Sequence, residues 1–537
     1  MKERLIVLSI LILSFLLRIL NIENSPASLY GDELTIVLDS YSLLKTGQDQ
    51  LGNSFPLTFQ MGAGRPAGYV YGSIPFMAIF GPTALGVRAL SILSGIGIII
   101  LLYFLGRKLF STNVGLAASF IAAFSPWDIS LSRGGFEAHF ALFLALLGFY
   151  LFIKAKEKPL FYTLSAISFG LTLHTYPTYK IILPLFLPLI FWFTSIKKVL
   201  SFDKKYFSIG VLLLLILGFL SISQTFIGGS ETRFYHINIF SKVELKDAIE
   251  QKINFERSIT NLPKSFLKYF HNKAVEYTKL IGENYLQNFS LDFLILHGDR
   301  NPRHNMATIG ELYFVEAILI LVGIFAFWQK QKKTILFLLL GIILAPIPTA
   351  IVDSPHALRS SFMLPFLILL SALGLVAVIR MKNKVVFYIV CLLFAIQFAF
   401  FLQKLYFLAP NEYSSFWSNS AKVASEYALQ NKDKYKYVFL SDRIDAIEFA
   451  YPVYGKIEPL TVISQNQNST TISSYKFKKF DNIYIGYIPQ ADTNQFIENL
   501  DGSVLFIDTA GSIENLKNYE IITGKDGRPI LTVKKVY

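Results

Sequence analysis

The sequence predicts a polytopic α-helical membrane protein with about eleven transmembrane helices and a small C-terminal α/β domain outside the membrane. Three observations support this fold class. Long apolar runs alternate with short charged clusters as far as residue 404. Of the 537 residues, 53% are hydrophobic and 16% are charged, whereas soluble domains carry roughly 25% charged residues. Beyond residue 404 the apolar runs stop and short strand-like stretches follow.

Eleven apolar segments are candidate spans, although several are shorter than the ~20 residues of a straight crossing. They lie at 5–20, 84–105, 114–126, 138–153, 160–174, 180–195, 207–224, 312–328, 334–351, 361–379 and 385–404. The first segment has the length of a signal peptide. No small-residue cleavage site follows it, so we expect an uncleaved first helix.

The basic residues predict the orientation. With a cytoplasmic N-terminus and alternating spans, the cations gather in the cytoplasmic loops, as the positive-inside rule requires. They are Lys2, Arg4, Arg107, Lys108, Lys154, Lys156, Lys158, Lys197, Lys198, Lys204, Lys205, Lys330, Lys332, Lys333, Arg380, Lys382 and Lys384. Topology thus explains the net charge of +13, and no nucleic-acid partner is predicted. We expect a multi-pass cell-membrane protein that contacts membrane lipids.

The chain divides into two predicted domains, a transmembrane domain at 1–404 and an extracytoplasmic α/β domain at 405–537. The second should contain a helix at 415–430 and strands at 437–440, 482–487, 503–507, 519–523 and 530–534. Two long outer loops, 21–83 and 225–311, belong to the first domain. Within the later loop, 230–255 and 264–286 are amphipathic and are expected along the membrane surface. The single cysteine, Cys391, excludes an internal disulfide.

This orientation places the unusual acidic residues on the outer face. Asp32 and Glu33 lie in the first outer loop. Alone they would suit a solvated acidic pair, or a general base that deprotonates an acceptor hydroxyl. Glu137 begins the fourth apolar segment, where a charge is costly unless it faces protein or water. It would equally complement a helix dipole.

The segment Asp353–Arg359 is the most specific outer motif. Ser354 suits an N-cap and Pro355 the first helical position, which would put His356 and Arg359 on one face of the first turn. A helix N-terminus of this kind binds anions, and the anion at a membrane edge is a lipid phosphate. A snorkelling arginine that anchors the headgroup region is the alternative.

Two further outer segments carry cations. His297–Asn305 includes Arg303 and His304, and it predicts either a polar turn or a site for phosphate or sugar hydroxyls. Arg65 lies between Gly64 and Pro66 in the first outer loop.

In order, spacing and common side, these motifs resemble the GT-C glycosyltransferases. The likeness is to the group of protein O-mannosyltransferases and lipid A aminoarabinose transferases (glycosyltransferase family 39-like), and it covers roughly residues 1–400. Asp32-Glu33 resembles the acidic pair of the family, and Glu137, after Ser125-Pro126 and Ser132-Arg133, resembles its second acidic position. At Arg65 many members have a lysine before the proline.

The resemblance implies transfer of a sugar from a polyprenyl-phosphate donor to a hydroxyl of a protein, lipid or glycan acceptor, with inversion at the anomeric carbon. Asp32 would be the base, accompanied by Glu33 and Glu137. Cations would stabilise the leaving phosphate, and the candidates are His356, Arg359, Arg65, Arg303 and His304. Some relatives use a divalent metal. This chain lacks a tight carboxylate cluster, so no metal ligand is assigned.

Other functions stay open at this point. A ligase or polymerase that acts on lipid-diphosphate-linked oligosaccharides would use the same outer-face site. A lipid-linked sugar transporter is disfavoured because the helix interiors are apolar, whereas transporters carry polar or broken helices at mid-membrane.

Overall fold

The computed structural model describes residues 2–60, 64–196, 203–227, 238–352, 355–511 and 519–537. Its first part is a bundle of apolar helices with shorter helices at one end. In chain order these are α1 (Lys2–Ile19), α2 (Gly31–Thr46), α3 (Gly68–Phe80), α4 (Ala84–Leu109), α5 (Thr112–Phe124), α6 (Pro126–Ser132), α7 (Glu137–Lys154), α8 (Leu160–Leu173), α9 (Tyr179–Ile196), α10 (Lys204–Ile227), α11 (Val243–Ile259), α12 (Lys264–Phe270), α13 (Lys273–Gln287), α14 (Phe314–Leu344), α15 (Ile347–Ala350), α16 (Leu364–Arg380) and α17 (Lys384–Gln403).

Each predicted apolar segment coincides with a helix of the bundle. The predicted class of fold, a helical membrane protein, is therefore confirmed. Among the described residues, six helices are long and apolar enough to cross a membrane, or seven if the bent pair α5 and α6 is one span. The helices α8 and α9 are shorter. The count of about eleven spans therefore stays a prediction.

Helix α14 combines two predicted segments, 312–328 and 334–351. The backbone leaves helical geometry at Gln331, where φ is −132° and ψ is 26°. On one side of this break α14 packs tightly against α16. A Cβ on Gly374 would lie 1.8 Å from the carbonyl oxygen of Leu319, so the two backbones meet at a distance that only glycine permits.

The first outer loop, 21–83, is folded rather than extended. Helix α2 places Asp32 and Glu33 in its first turn, and α3 follows a two-stranded ribbon of β1 (Thr58–Phe59) and β2 (Arg65–Pro66). Apolar residues on α2, such as Leu34 and Val37, are fully buried. The acidic pair is therefore held by a packed helix.

The C-terminal part is an α/β sheet with flanking helices. In chain order its elements are α18 (Ala409–Glu412), α19 (Asn419–Asn431), β3 (Tyr437–Ser441), α20 (Ile447–Tyr454), α21 (Pro459–Gln467), β4 (Thr470–Ile472), β5 (Tyr475–Phe480), β6 (Ile483–Gly486), α22 (Thr493–Glu498), β7 (Val504–Thr509), β8 (Tyr519–Thr523) and β9 (Pro529–Val536). The described strands form one seven-stranded sheet in the order β4-β5-β6-β3-β7-β9-β8. Strand β3 is parallel to β6 and β7, and the outer pairs are antiparallel. The five predicted strands are present, and β4 and β5 were not predicted.

The sheet shares a hydrophobic core with α2, α3 and the start of α4. Val37 and Tyr69 belong to the same buried cluster as Ala424, Ile447 and Leu505. Polar contacts reinforce this junction, because the side-chain amides of Asn466 and Gln467 on α21 donate to the carbonyl oxygens of Gln50 and Leu51 at 2.7 and 3.0 Å. The boundary at 404/405 stays a prediction, but the two parts are packed as one body.

Three predicted elements need correction. The helix predicted from Pro355 begins only at Leu364, after a 3₁₀ turn at Ser361–Met363, because Pro365 rather than Pro355 occupies the first turn; Asp353 and Ser354 lie outside the described residues. The helix predicted at 415–430 begins at Asn419. Of the amphipathic segment 230–255, residues 230–237 lie outside the described residues, and the helix starts at Val243.

The contact between α14 and α16 gives a stability prediction. Gly374→Ala should destabilise the protein by about 1–3 kcal/mol, because the added methyl group cannot fit against the Leu319 carbonyl. Thermal unfolding in detergent measures this. The matched control is Gly282→Ala on α13, where no atom lies within 4 Å of the added Cβ. Equal unfolding temperatures for the two variants would contradict the close packing.

Candidate active site

Asp32 presents a half-exposed carboxylate on the first turn of α2. Its side chain is 47% exposed, and its Oδ1 accepts a hydrogen bond of 2.8 Å from Nη2 of Arg65. Nη1 of Arg65 donates to the Thr35 hydroxyl at 2.8 Å, and that hydroxyl donates to the Asp32 carbonyl oxygen at 3.0 Å. Among the described residues, none donates a hydrogen bond to Oδ2 of Asp32. One carboxylate oxygen is thus fixed and the other faces outward.

Arg65 joins Asp32 to the second acidic residue, Glu137. Its Nε lies 2.7 Å from Oε1 of Glu137, and its own side chain is fully buried. Burial by itself would lower the pKa of Arg65, but Glu137 and Asp32 together hold that pKa above its ordinary value. Arg65 was predicted as a phosphate-binding cation. In the structure its guanidinium group is occupied with carboxylates, so it positions them.

Glu33 points into the protein. Its carboxylate accepts hydrogen bonds from Nε and Nη2 of Arg88 at 2.7 and 2.8 Å, and from the backbone N–H of Gly135 at 2.8 Å. Arg88 also donates to the carbonyl oxygens of Ile22 and Ser28. Both side chains are fully buried. Glu33 therefore lies away from the exposed side of Asp32, and its pair with Arg88 fastens α2 to α4.

The remaining residues around the second acidic motif are structural. Asp128 pairs with Arg18, at the end of α1, and with Nε2 of His139 at 3.1 Å. Arg133 is fully buried and donates to carbonyl oxygens of the α1 end and the loop that follows it, including those of Leu17 and Leu20 at 3.0 Å. These contacts hold the first outer loop against the bundle, which sets the position of α2.

A second polar cluster consists of Asp299, His304 and His356. Oδ2 of Asp299 lies 3.0 Å from Nδ1 of His304 and 3.7 Å from Nδ1 of His356, and it accepts the backbone N–H of Ala357 at 2.8 Å. The two imidazole rings are stacked, with centroids 4.2 Å apart. Burial, His304 and Arg359 lower the pKa of His356 well below its ordinary value, so this ring is neutral at pH 7.

These three residues border a cavity of about 780 Å³, which Arg300 and Arg359 also line. Among the described residues, Arg359 makes no hydrogen bond or ion pair, whereas Arg300 lies 4.0 Å from Asp292. The Arg359 guanidinium is therefore available to an anion in the cavity. Because the segment carrying it is a turn rather than a helix start, the predicted helix dipole is not part of this site.

Two aromatic residues lie between the acidic and the histidine clusters. The ring of Phe136, next to Glu137, packs against His304 with centroids 6.1 Å apart. The ring of Tyr30, two residues before Asp32, is tilted by 41° against that of Phe136, with centroids 6.1 Å apart, and the Arg303 guanidinium lies over it at 5.2 Å. The structure thus brings the predicted acidic and cationic residues to adjoining positions, with Glu33 and Arg65 turned into the protein.

Sequence reasoning missed the partners of the buried arginines and the grouping of Asp299 with two histidines. Arg18 and Arg88 lie inside or beside apolar segments, and a charge there requires an opposite charge; that signal was available. The approach of His356 to Asp299 depends on tertiary packing of distant loops, for which the sequence carries no pattern.

Comparisons with known proteins identify relatives of this fold. Residues 68–222 match the family model described as dolichyl-phosphate-mannose-protein mannosyltransferase. No curated protein matches the chain. The solved structure of ArnT from Cupriavidus metallidurans bound to undecaprenyl phosphate is similar over 98% of this chain and 97% of that one, with a TM-score of 0.54 and 10% identity. The same protein in the apo state gives a TM-score of 0.52 with 11% identity, over the same shares of both chains.

An oligosaccharyltransferase from Archaeoglobus fulgidus, tethered to an acceptor peptide, has a lower TM-score of 0.47 at 16% identity, covering 84% of this chain and 63% of that one. The likeness to ArnT over nearly the whole chain establishes the fold. The resemblance to GT-C glycosyltransferases of the mannosyltransferase and ArnT kind was predicted from the sequence. It is confirmed by the family model over residues 68–222 and by the fold shared with ArnT.

Asp39, on α2 below Asp32, gives a pH prediction. Burial raises its pKa to about 7, although Gln50 donates two hydrogen bonds to its Oδ1. The folded state therefore keeps a proton that the unfolded chain loses near pH 4, and stability falls as pH rises from about 4 to 7. The upper bound of this loss is about 4 kcal/mol, at 1.36 kcal/mol per pKa unit.

Asp39→Asn removes the titration and keeps an oxygen that accepts from Gln50. The unfolding temperature of the variant should gain on that of the wild type between pH 5 and pH 8. Asp481→Asn, which changes an exposed carboxylate, is the control. A constant difference between Asp39→Asn and wild type across this range would refute the buried titration.

Proposed function

We propose that this protein is a membrane glycosyltransferase that transfers a sugar from a polyprenyl-phosphate donor to an acceptor hydroxyl, with inversion. The observation that carries the proposal is that the rings of Tyr30 and Phe136 connect the acidic cluster of Asp32 to the wall of a cation-lined cavity at His304. One carboxylate oxygen of Asp32 is fixed by Arg65, and the cavity is lined by Arg359, which makes no ion pair with the described residues. The fold shared with ArnT, a protein crystallised with undecaprenyl phosphate, supports the same donor class.

The reaction is a single displacement. Oδ2 of Asp32 takes the proton of the acceptor hydroxyl. At the same time the hydroxyl oxygen of the acceptor attacks the anomeric carbon from the face opposite the phosphate. The bond between that carbon and the phosphate oxygen breaks, and the lipid phosphate leaves with the electron pair. A single attack from the opposite face inverts the anomeric centre.

The residues around this reaction have separate roles in the proposal. Arg359 stabilises the charge that develops on the leaving phosphate, since charge-assisted hydrogen bonds to phosphate are strong. Arg303, over the Tyr30 ring, and His304, at the cavity wall, are the further proposed contacts of the donor phosphate. Arg65 and Glu137 hold the Asp32 carboxylate in place, and Glu33 acts only by fastening α2 to the bundle.

The membrane setting follows the sequence prediction. We propose a multi-pass protein of the cell membrane with about eleven spans, a cytoplasmic N-terminus and both the site and residues 405–537 on the extracytoplasmic face. The positive-inside distribution of cations supports this orientation, and a polyprenyl-phosphate sugar presented at that face would reach the cavity from the lipid.

The first test is transfer by purified protein in lipid, from a panel of radiolabelled polyprenyl-phosphate sugars to hydroxyl acceptors. Asp32→Asn should lower kcat by roughly 10²–10⁴-fold, because the amide cannot take the acceptor proton. Asp481→Asn should transfer as the wild type does. Transfer by Asp32→Asn at the wild-type rate would exclude Asp32 as the base. Lipid-diphosphate-linked sugars are assayed in parallel, and transfer only from these donors would favour the oligosaccharide ligase instead.

The second test concerns the donor phosphate. Arg359→Ala should lower kcat/KM for the donor roughly 10–100-fold, the loss expected for one hydrogen bond to a charged group. The KM of the acceptor should stay unchanged. Arg528→Ala, which changes an exposed arginine in the C-terminal part, is the control. An unchanged kcat/KM for the donor would remove Arg359 from the phosphate site.

A further inference from the structure

We propose that Asp299, His304 and His356 form a binding site for a divalent transition-metal ion of the Zn²⁺ type at the wall of the cavity. Each residue offers one ligand atom, and these atoms lie within 4.8 Å of one another. The residues come from two loops that are distant in sequence, so the grouping is a product of the fold. The sequence assigned no metal ligand here.

The separations suit one ion. Zn²⁺ binds nitrogen and carboxylate oxygen at about 2.0–2.2 Å, so two ligands of a tetrahedral site lie about 3.3 Å apart. Oδ2 of Asp299 lies 3.0 Å from Nδ1 of His304 and 3.7 Å from Nδ1 of His356. These distances bracket the tetrahedral value. The two histidine nitrogens also lie within 4.8 Å of each other, so a closer approach of the two loops brings both nitrogens onto a shared ion with the carboxylate.

His356 carries an unmatched polar atom. Its Nδ1 is buried and has no hydrogen-bond partner in the described chain, although it faces the Asp299 carboxylate. A buried polar atom without a partner is costly and calls for an explanation. The hydrogen bond between His304 and Asp299 accounts for one ring only. An ion between the three groups gives both imidazoles a partner.

The surrounding contacts orient Asp299 as a ligand. Its Oδ1 accepts the backbone N–H of Asn301 at 2.9 Å and its Oδ2 that of Ala357 at 2.8 Å. Its own N–H donates to the buried Glu311 carboxyl at 2.9 Å. Hydrogen bonds of this kind fix the first ligands of metal sites and raise affinity.

The ligand types select the metal. Two imidazoles and one carboxylate suit Zn²⁺ and its neighbours in the first transition row, whereas Mg²⁺ and Ca²⁺ favour all-oxygen sets. Three protein ligands also leave a fourth position for a small molecule. The three residues line the same cavity as Arg359. If the proposed function holds, a phosphate oxygen of the donor occupies the fourth position, so this last step rests on that function while metal binding does not.

Metal binding is tested on the full chain, purified with a tag free of histidine, stripped with a chelator and titrated with Zn²⁺ by calorimetry. We expect one ion per chain. The affinity should be at least tenfold weaker in Asp299→Asn, His304→Ala and His356→Ala, since even the loss of a residue that only hydrogen-bonds to a ligand costs about 10–100-fold. His297→Ala is the matched control. His297 lies two residues from Asp299 but is exposed and paired with Asp292. The Zn²⁺ affinity of this variant should therefore equal that of the wild type.

Thermal unfolding of the metal-free proteins separates loss of ligands from loss of fold. A folded variant without Zn²⁺ affinity supports the site. Absence of stoichiometric binding to the wild type, or equal affinity in all three variants, would overturn it. Mg²⁺ at the same concentration should give no heat of binding, and a preference for Mg²⁺ would contradict the assignment of the ligands.

Co²⁺ reports the fourth position without any activity measurement. Its visible absorption should indicate tetrahedral nitrogen and oxygen ligation, and inorganic phosphate should shift the spectrum. Arg359→Ala should weaken the phosphate effect but retain the metal. If the protein binds Co²⁺ but phosphate does not change the spectrum, the metal site is supported and the open fourth coordination position is refuted. Metal binding in a protein that transfers no sugar from any lipid phosphate would refute the proposed function alone.

Discussion

The guanidinium group of Arg65 lies in the protein interior between two carboxylates, and the candidate active site depends on it. Taking an unpaired guanidinium out of water would cost several kcal/mol, so the contacts to Asp32, Glu137 and Thr35 are required for Arg65 to be buried at all. In return, Arg65 fixes the start of α2 relative to the start of α7. The exposed oxygen of Asp32 has a defined position because Arg65 binds the other oxygen of the same carboxylate.

The same principle recurs around the site. Arg88 with Glu33, and Arg18 with Asp128, are further buried pairs between elements that are far apart in the chain. Removing one partner of such a pair leaves a buried charge and costs about 3–5 kcal/mol. A bundle of apolar helices in lipid has weak intrinsic register. These pairs supply specific register at the end of the bundle where the chemistry is proposed.

The sequence predicted the helical membrane fold because long apolar runs have few alternatives, and it predicted five strands of the C-terminal sheet from their β-branched composition. It missed β4, which has only three residues, and β5, in which three of six residues are lysine. It placed Pro355 at a helix start that Pro365 occupies instead, since a proline marks a helix start without saying which of two candidates is used. Asp32 was predicted from its place in the first outer loop, and Glu137 from the cost of a charge at the start of an apolar segment. Their shared arginine is a tertiary contact, as is the pairing of Asp299 with His356.

The hydrophobic core that α2 shares with the C-terminal sheet has a consequence for biosynthesis. The apolar face of α2 contacts residues such as Ile447 on α20, which leave the ribosome long after α2 has been translated. Until these residues are made, that face of α2 is uncovered, and α2 lacks its contacts with the C-terminal sheet and helices. The bundle can insert span by span, but the carboxylate of Asp32 acquires its place only when the end of the chain has folded. An incomplete chain would therefore insert its helices without completing the candidate site around Asp32.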